Sequence, residues 1–217
     1  MITYQLAIFD LDGTILNTLE DLSLAMNYAL REMHLPERSL LEIRQFVGNG
    51  ILQLIRRAVP VGTSDEEIMQ IHQIFRAYYS EHCRDNTAPY QNMIGVIQEL
   101  RNAGFKTAVI SNKIDSAVKT LCQEYFPNLF DVVTGEIQGR PRKPASNAVH
   151  AVLQTLHFTP EQAIYIGDSE VDIQTAKNSG LPCISVAWGF RSKEFLKQNG
   201  AETIISEPSA LLNLLLS

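Results

Sequence analysis

The sequence predicts an α/β protein, a doubly wound parallel sheet with a Rossmann-like core and an inserted helical domain. Three observations lead there. Short apolar runs alternate with helical patterns from residue 90 onward. The first apolar run is separated from the second by a long stretch that is helical throughout. Polar residues gather where the convincing apolar runs end, the edge at which open α/β sheets bind ligands.

The first run, Tyr4-Gln5-Leu6-Ala7-Ile8-Phe9, is short, mostly apolar and ends at a glycine turn, which reads as a buried parallel strand. From Thr18 to Met33, Leu40 to Val47, Ile51 to Ala58 and Asp65 to Tyr79 the apolar spacing is helical, with no strand between Thr14 and Pro89. A crossover between parallel strands needs only about a dozen residues, so the excess reads as an insertion. Its exit is the polar stretch Arg84-Asp85-Asn86-Thr87-Ala88-Pro89. The expected division is an α/β core at 1–16 and 88–217, with a helical insertion at 17–87.

Within the core, the pattern predicts a helix from Asn92 to Ala103 closed by Gly104, and a strand from Phe105 to Ile110. A helix from Ile114 to Phe126 and a short strand from Phe130 to Val133 follow. Next come a helix from Ala145 to Leu156, a strand from Ala163 to Ile166 and a helix from Glu170 to Ser179 stopped by Gly180. A strand from Pro182 to Val186, a weaker one through Thr203-Ile204-Ile205 and a helix from Ala210 to Leu215 end the chain. Strands separated by helices imply right-handed βαβ units and a sheet covered on both faces.

Composition narrows the function classes. The 217 residues are 45% hydrophobic with a formal net charge of −6, and no basic block of nucleic-acid type occurs. The longest apolar stretch falls short of the ~20 residues that span a bilayer. Cys83, Cys122 and Cys183 are odd in number and show no C-x-x-C spacing, as expected of reduced thiols in a reducing compartment. No signal-peptide pattern opens the chain. A cytoplasmic protein is expected, with no nucleic-acid or membrane partner and no evident protein partner.

The chemistry-bearing residues stand at strand ends. Asp10 and Asp12 follow the first strand, two residues apart and so on one side of an extended chain, with Gly13 to turn and Thr14 to add a hydroxyl. Two like charges so close need a cation or a shared proton, and Mg²⁺ is the usual oxygen-preferring solution. Ser111-Asn112-Lys113 follows the second strand, and Gly167-Asp168-Ser169-Glu170-Val171-Asp172 the fourth. Lys143 precedes Pro144, which favours an extended conformation there. Each piece has a plainer reading: a solvated Asp turn, a helix cap at Ser111-Asn112, a capping box from Ser169 to Asp172, a surface lysine. Jointly they put carboxylates, a hydroxyl, an amide and a lysine at one edge of one sheet.

These residues carry a resemblance. Asp10-Leu11-Asp12-Gly13-Thr14, Ser111, Lys143 and Gly167-Asp168 with Asp172 resemble the four-part signature of the haloacid dehalogenase-like hydrolase superfamily, over nearly the whole chain. Val47-Gly48-Asn49-Gly50, Ser111-Asn112-Lys113 and Trp188-Gly189-Phe190 look most like its phosphoglycolate phosphatase-like branch. Two positions depart from that branch: Asn17-Thr18 stands where Asp-Ser is frequent, and Ser146 where a second proline often follows Lys-Pro.

The resemblance implies a Mg²⁺-dependent phosphatase acting on a small phosphorylated metabolite, with the α/β part as its catalytic core and the helical insertion as its cap. Asp10 is then the nucleophile, and Asp12 the acid and base. Mg²⁺ is held by Asp10, the Asp12 carbonyl and Asp168, with Asp172 behind them. Ser111, the backbone near Asn112, and Lys143 hold the phosphoryl oxygens, and Gly48, Asn49 and Gly50 select substrate from the cap. Phosphoglycolate is one fitting substrate. A phosphomutase of the β-phosphoglucomutase type keeps the same residues, and a non-catalytic phosphometabolite-binding protein is the reading from a different class. Arg56, Arg57 and Lys113 are further candidates for substrate contact, and Trp188 is expected to anchor its loop near the pocket mouth.

Overall fold

The computed structural model describes residues 4–216; residues 1–3 and 217, part of the expected core, lie outside the described residues. The chain divides into two compact units. One comprises residues 1–16 and 89–217, the other residues 17–88.

The first unit is built on six parallel strands: β1 (Leu6–Phe9), β4 (Lys106–Ile114), β5 (Val132–Glu136), β6 (Ala163–Gly167), β7 (Cys183–Val186) and β8 (Thr203–Ile205). Their order is β5-β4-β1-β6-β7-β8, so the chain leaves β1 in one direction and later returns to its other side. Phe9 pairs with Val109 on one flank and Ile166 on the other. That reversal beside β1 is the switch point at which a crevice opens outside the carboxyl ends of the strands.

The sheet is buried on both faces because its strands are apolar on both. Ala7 and Phe9 face one core with α5 (Met93–Asn102), α6 (Asp115–Tyr125) and α10 (Ala210–Leu215). Leu6 and Ile8 face another with α7 (Asn147–Leu156) and Ala176 of α8 (Glu170–Ser179). The alternation is the two-residue period of an extended chain.

The second unit holds α1 (Leu19–Glu32), α2 (Leu40–Phe46), α3 (Ile51–Ala58) and α4 (Asp65–His82) around its own core, which includes Met26, Leu30, Ile43, Ile55, Ile71 and Phe75. Side chains of this size stabilise by ~1.5–3 kcal/mol each when fully buried. Ser39 with Glu42, and Ser64 with Glu67, form capping boxes that start α2 and α4. Asp21, buried in α1, accepts hydrogen bonds from the Asn86 and Thr87 amides and the Thr87 hydroxyl, which fixes the segment leaving the unit. The two chain crossings, β2 (Leu16–Asn17) and β3 (Ala88–Pro89), pair as a short ribbon.

Several elements differ from the sequence expectation. β5 begins at Val132 rather than Phe130. The Asp131 carboxylate accepts the Thr107 amide at 3.0 Å and pairs with Arg101 and Lys106, which holds Phe130 and Asp131 in a turn. β4 runs on to Ile114 through an irregularity between Ile110 and Ile114. β2 and β3 are too short to show a period, and α9 (Lys193–Gln198) buries only Leu196, so neither left an apolar pattern to read. The three cysteines are free, two of them buried. Burial pushes the thiols of Cys122 and Cys183 up to about 12, so neither is a ready thiolate. Among the described residues no helix is long and apolar enough to cross a membrane.

Candidate active site

The carboxyl ends of β1 and β6 and the loop that carries Lys143 bring Asp10, Asp168, Asp172 and this lysine together. Asp10 follows β1 directly; its amide donates to the Ile166 carbonyl at 2.9 Å, which continues the strand pairing and aims its carboxylate across the sheet edge. The chain then folds back, with the Leu16 amide donating to the Leu11 carbonyl at 3.0 Å and the Gly13 amide to the Leu16 carbonyl at 2.8 Å. Gly13 has φ +86°, and a Cβ there would collide with the Asp168 carboxylate. Glycine is required twice over at this position, by conformation and by space.

Ligand atoms of Asp10, Asp168 and Asp172, all buried, lie within 4.8 Å of one another. Lys143 lies among them. Its ammonium donates to Asp10 Oδ1 at 2.7 Å, to Asp172 Oδ1 at 2.8 Å and to the Tyr165 hydroxyl at 3.2 Å. Burial alone would drive the lysine toward neutrality, but the two carboxylates hold it protonated well above the ordinary range. Burial, reinforced by Asp172 and opposed by Lys143, pushes Asp10 up to about 7. Burial, with Asp172 and Asp10, also raises Asp168 well above an ordinary carboxylate. These acids are costly to ionise together with one ammonium as their counter-charge.

Asp168 and Asp172 are held differently. Asp168 Oδ2 accepts the Phe190 amide at 2.7 Å, and the Thr14 hydroxyl lies 3.4 Å from Oδ1. Both Asp172 oxygens are engaged: Oδ1 by Lys143, Oδ2 by the Ser169 hydroxyl at 2.6 Å and the Ser169 amide at 3.2 Å. Asp172 therefore ties Lys143 to the start of α8.

Neither Ser111 nor Asn112 caps α6, whose N-cap residue is Ile114 and has no side-chain cap. The Ser111 hydroxyl accepts the Lys113 amide at 3.1 Å. The Asn112 side chain accepts the Lys143 amide at 2.9 Å and donates to the Lys143 carbonyl at 3.1 Å. That two-point clamp fixes the backbone of a lysine that comes from a loop, beside the cis Lys143-Pro144 bond.

Three groups at this site escaped the sequence reading of roles, and Lys113, expected only as a candidate for substrate contact, has an acid for a partner. Lys113 donates to Asp12 Oδ1 at 2.8 Å, and its side chain is 6% exposed. The alternation of Ser111 and Lys113 on one strand was the signal that could have found it. Tyr165 contributes its hydroxyl and its ring, whose centroid lies 5.8 Å from the Lys143 ammonium. The Phe190 amide and the Arg191–Glu170 pair, at 2.9 and 3.3 Å, complete the loop after β7. Trp188 anchors the same loop by donating to the Thr14 carbonyl at 2.9 Å.

In the helical unit, Gly48, Asn49 and Gly50 all have positive φ, at +116°, +65° and +86°. Arg57 donates to the Phe46 and Gly48 carbonyls, and Arg56 pairs with Asp65 at 2.8 Å. Both arginines thus have partners within their own unit.

The donor chemistry fits a divalent cation. Asp10, Asp168 and Asp172 bring carboxylate oxygens within 4.8 Å of one another, and Lys143 pairs with two of the three, Asp10 and Asp172. Hard carboxylate oxygens this close together are the ligands that Mg²⁺ prefers.

Comparison with known proteins gives this geometry its context. The family model described as haloacid dehalogenase-like hydrolase matches residues 7–186. A phosphoglycolate phosphatase of Aquifex aeolicus (strain VF5) is 28% identical over 212 residues, covering 97% of this chain and 96% of that protein. One from Pseudomonas putida (strain KT2440) is 30% identical, covering 96% and 78%. The crystal structure of a candidate phosphoglycolate phosphatase from Lactobacillus delbrueckii subsp. bulgaricus superposes with a TM-score of 0.94 at 34% identity, over 98% of each chain. With Asp10, Asp168, Asp172 and Lys143 clustered at the edge of this sheet, the chain belongs to the haloacid dehalogenase-like hydrolase family, among relatives named phosphoglycolate phosphatases.

Proposed function

We propose that this phosphatase hydrolyses a small phosphorylated metabolite of the 2-phosphoglycolate type, with Mg²⁺, through an aspartyl-phosphate on Asp10. The observation that carries the reading is the 2.7 Å contact of Lys143 with Asp10 inside a buried cluster of acids. A carboxylate nucleophile approaching a phosphate meets its own charge, and Lys143 is the cation that offsets the repulsion on both.

An Asp10 oxygen attacks phosphorus and the phosphorus–ester oxygen bond breaks, a recognised use of carboxylates. Asp12 gives its proton to the departing oxygen, which leaves as an alcohol. Asp12 then takes a proton from water as that water attacks phosphorus; the bond to Asp10 breaks, and inorganic phosphate and the free carboxylate are restored. Ser111, the Asn112 backbone amide and Lys143 bind the phosphoryl oxygens, on which charge is concentrated. Mg²⁺ would be held by Asp10, the Asp12 carbonyl and Asp168, where it supplies charge neutralisation and alignment for the phosphoryl group. Asp172 keeps Lys143 and the Ser169 turn in place.

Residues 17–88 act as the cap in this reading, with Gly48-Asn49-Gly50 selecting the leaving group. A reducing, cytoplasmic setting suits the three free thiols. The names of the relatives support phosphoglycolate as the substrate. The test is phosphate release from a panel of phosphorylated metabolites, with Mg²⁺ and with excess EDTA. Turnover of 2-phosphoglycolate that EDTA abolishes is expected; full activity in EDTA refutes the metal assignment, and preference for a sugar phosphate, which has no carboxylate, refutes the substrate.

A further inference from the structure

Lys113 is a costly residue to bury. An ammonium withdrawn from water needs a partner of opposite charge and a fixed position, or the fold loses several kcal/mol. Both are present. The ammonium meets Asp12 Oδ1 at 2.8 Å, with 6% of the lysine side chain exposed and 18% of the aspartate. The lysine backbone is held from two directions. Its amide donates to the Ser111 hydroxyl at 3.1 Å. Its carbonyl oxygen sits where a Cβ on Gly135 would collide with it, so β5 packs directly against this point of β4. Gly135 is fixed in turn, its amide donating to Asp115 Oδ1 at 2.8 Å.

Asp12 is placed less firmly. It lies in the turn after β1, and its carboxylate is the more exposed partner of the pair. A proton donor that swings freely meets the leaving oxygen only part of the time, and misplacement by about 1 Å can cost 10²-fold in rate. We propose that Lys113 is a positioning residue for Asp12. Its ammonium grips Oδ1, which stops rotation of the carboxylate and presents Oδ2 for proton transfer to the leaving oxygen. This rests on the assignment of Asp12 as the proton donor.

A positioning role predicts a signature that loss of packing does not produce. Proton donation matters when the leaving group is an alkoxide and matters little when it is a stabilised phenolate. The experiment measures kcat/KM with Mg²⁺ for 2-phosphoglycolate and p-nitrophenyl phosphate, on the wild type, Lys113→Met, Lys113→Gln, Lys113→Arg and Asp12→Asn. Lys113→Met should lose about tenfold more activity on the alkyl than on the aryl ester. Asp12→Asn should show the same bias more strongly, and Lys113→Arg should restore part of the loss. Lys113→Gln serves where Lys113→Met fails to fold. Equal loss on both esters in the lysine variants, with the bias intact in Asp12→Asn, overturns the proposal and leaves Asp12 as the acid. No bias in Asp12→Asn removes the proton donor itself, and the proposal with it.

Discussion

The acids at the sheet edge should make the metal-free protein lose stability as the pH rises through the neutral range, and Mg²⁺ should abolish that loss. Burial and Asp172 raise Asp10 from an ordinary 3.8 to about 7 in the folded protein. A group whose folded value lies above its unfolded value stabilises the fold while it stays protonated. The wild type therefore incurs no penalty below about pH 4, loses stability progressively, and carries the full penalty above about pH 7. At ~1.4 kcal/mol for each pH unit between the two values, the penalty is about 4 kcal/mol. Asp168 shifts in the same direction and adds to it.

For a chain of this size that corresponds to roughly 10 °C in Tm. The assay is thermal unfolding across the pH range in EDTA and in saturating Mg²⁺, for the wild type and Asp10→Asn. Asparagine keeps the shape and an oxygen to accept from Lys143, but it carries no charge. Above pH 7 the metal-free Asp10→Asn protein should be the more stable of the two, and the wild type in Mg²⁺ should match it. Parallel curves for the two proteins in EDTA would refute the reasoning, because the buried charge would then cost nothing.

Three further outcomes are expected. Asp10→Asn should lose more than a hundredfold in turnover, equivalent to over ~2.7 kcal/mol of barrier, as measured by phosphate release with Mg²⁺. Arg191→Met should weaken Mg²⁺ binding by about tenfold in calorimetry, because the Arg191–Glu170 pair holds the loop whose Phe190 amide orients Asp168; unchanged affinity would show that the pair does not orient Asp168. Asn49→Ala should alter the ranking of kcat/KM among substrates more than it alters acetyl phosphate hydrolysis. One common factor for all of them would leave Asn49 as a turn residue with φ +65°.

Much of the sheet was legible because its two central strands, β1 and β6, are buried on both faces and therefore apolar along nearly their whole length. Leu6–Phe9 and Ala163–Gly167 can be read from composition and turn residues alone. The acids were legible for a related reason: a carboxylate at the end of an apolar run is out of keeping with its neighbours. What stayed hidden depends on distance in three dimensions. Asn112 looks like a helix cap until Lys143, thirty-one positions away in sequence, is seen to lie in its grip. Tyr165 reads as one more large residue of a buried strand, because only the fold reveals where its hydroxyl ends. The Phe190 amide has no side-chain identity to betray it at all.

The charge pattern has the same origin. A chain with net charge −6 that binds an anion needs its positive charge where the substrate lands, and overall composition cannot supply that. In the proposed mechanism it is supplied by lysines that the fold brings against Asp10, Asp12 and Asp172. Lys143 arrives on a loop, held at its backbone by Asn112 and at its ammonium by Asp10 and Asp172. Lys113 arrives on β4 and meets Asp12. Each ammonium is paired with an acid to which that mechanism gives a reacting role, so the cations also hold the two carboxylates in place. Removing either lysine should therefore impair binding and geometry together, and its effect cannot be reproduced by changing the salt concentration, which screens exposed charges far more than buried pairs.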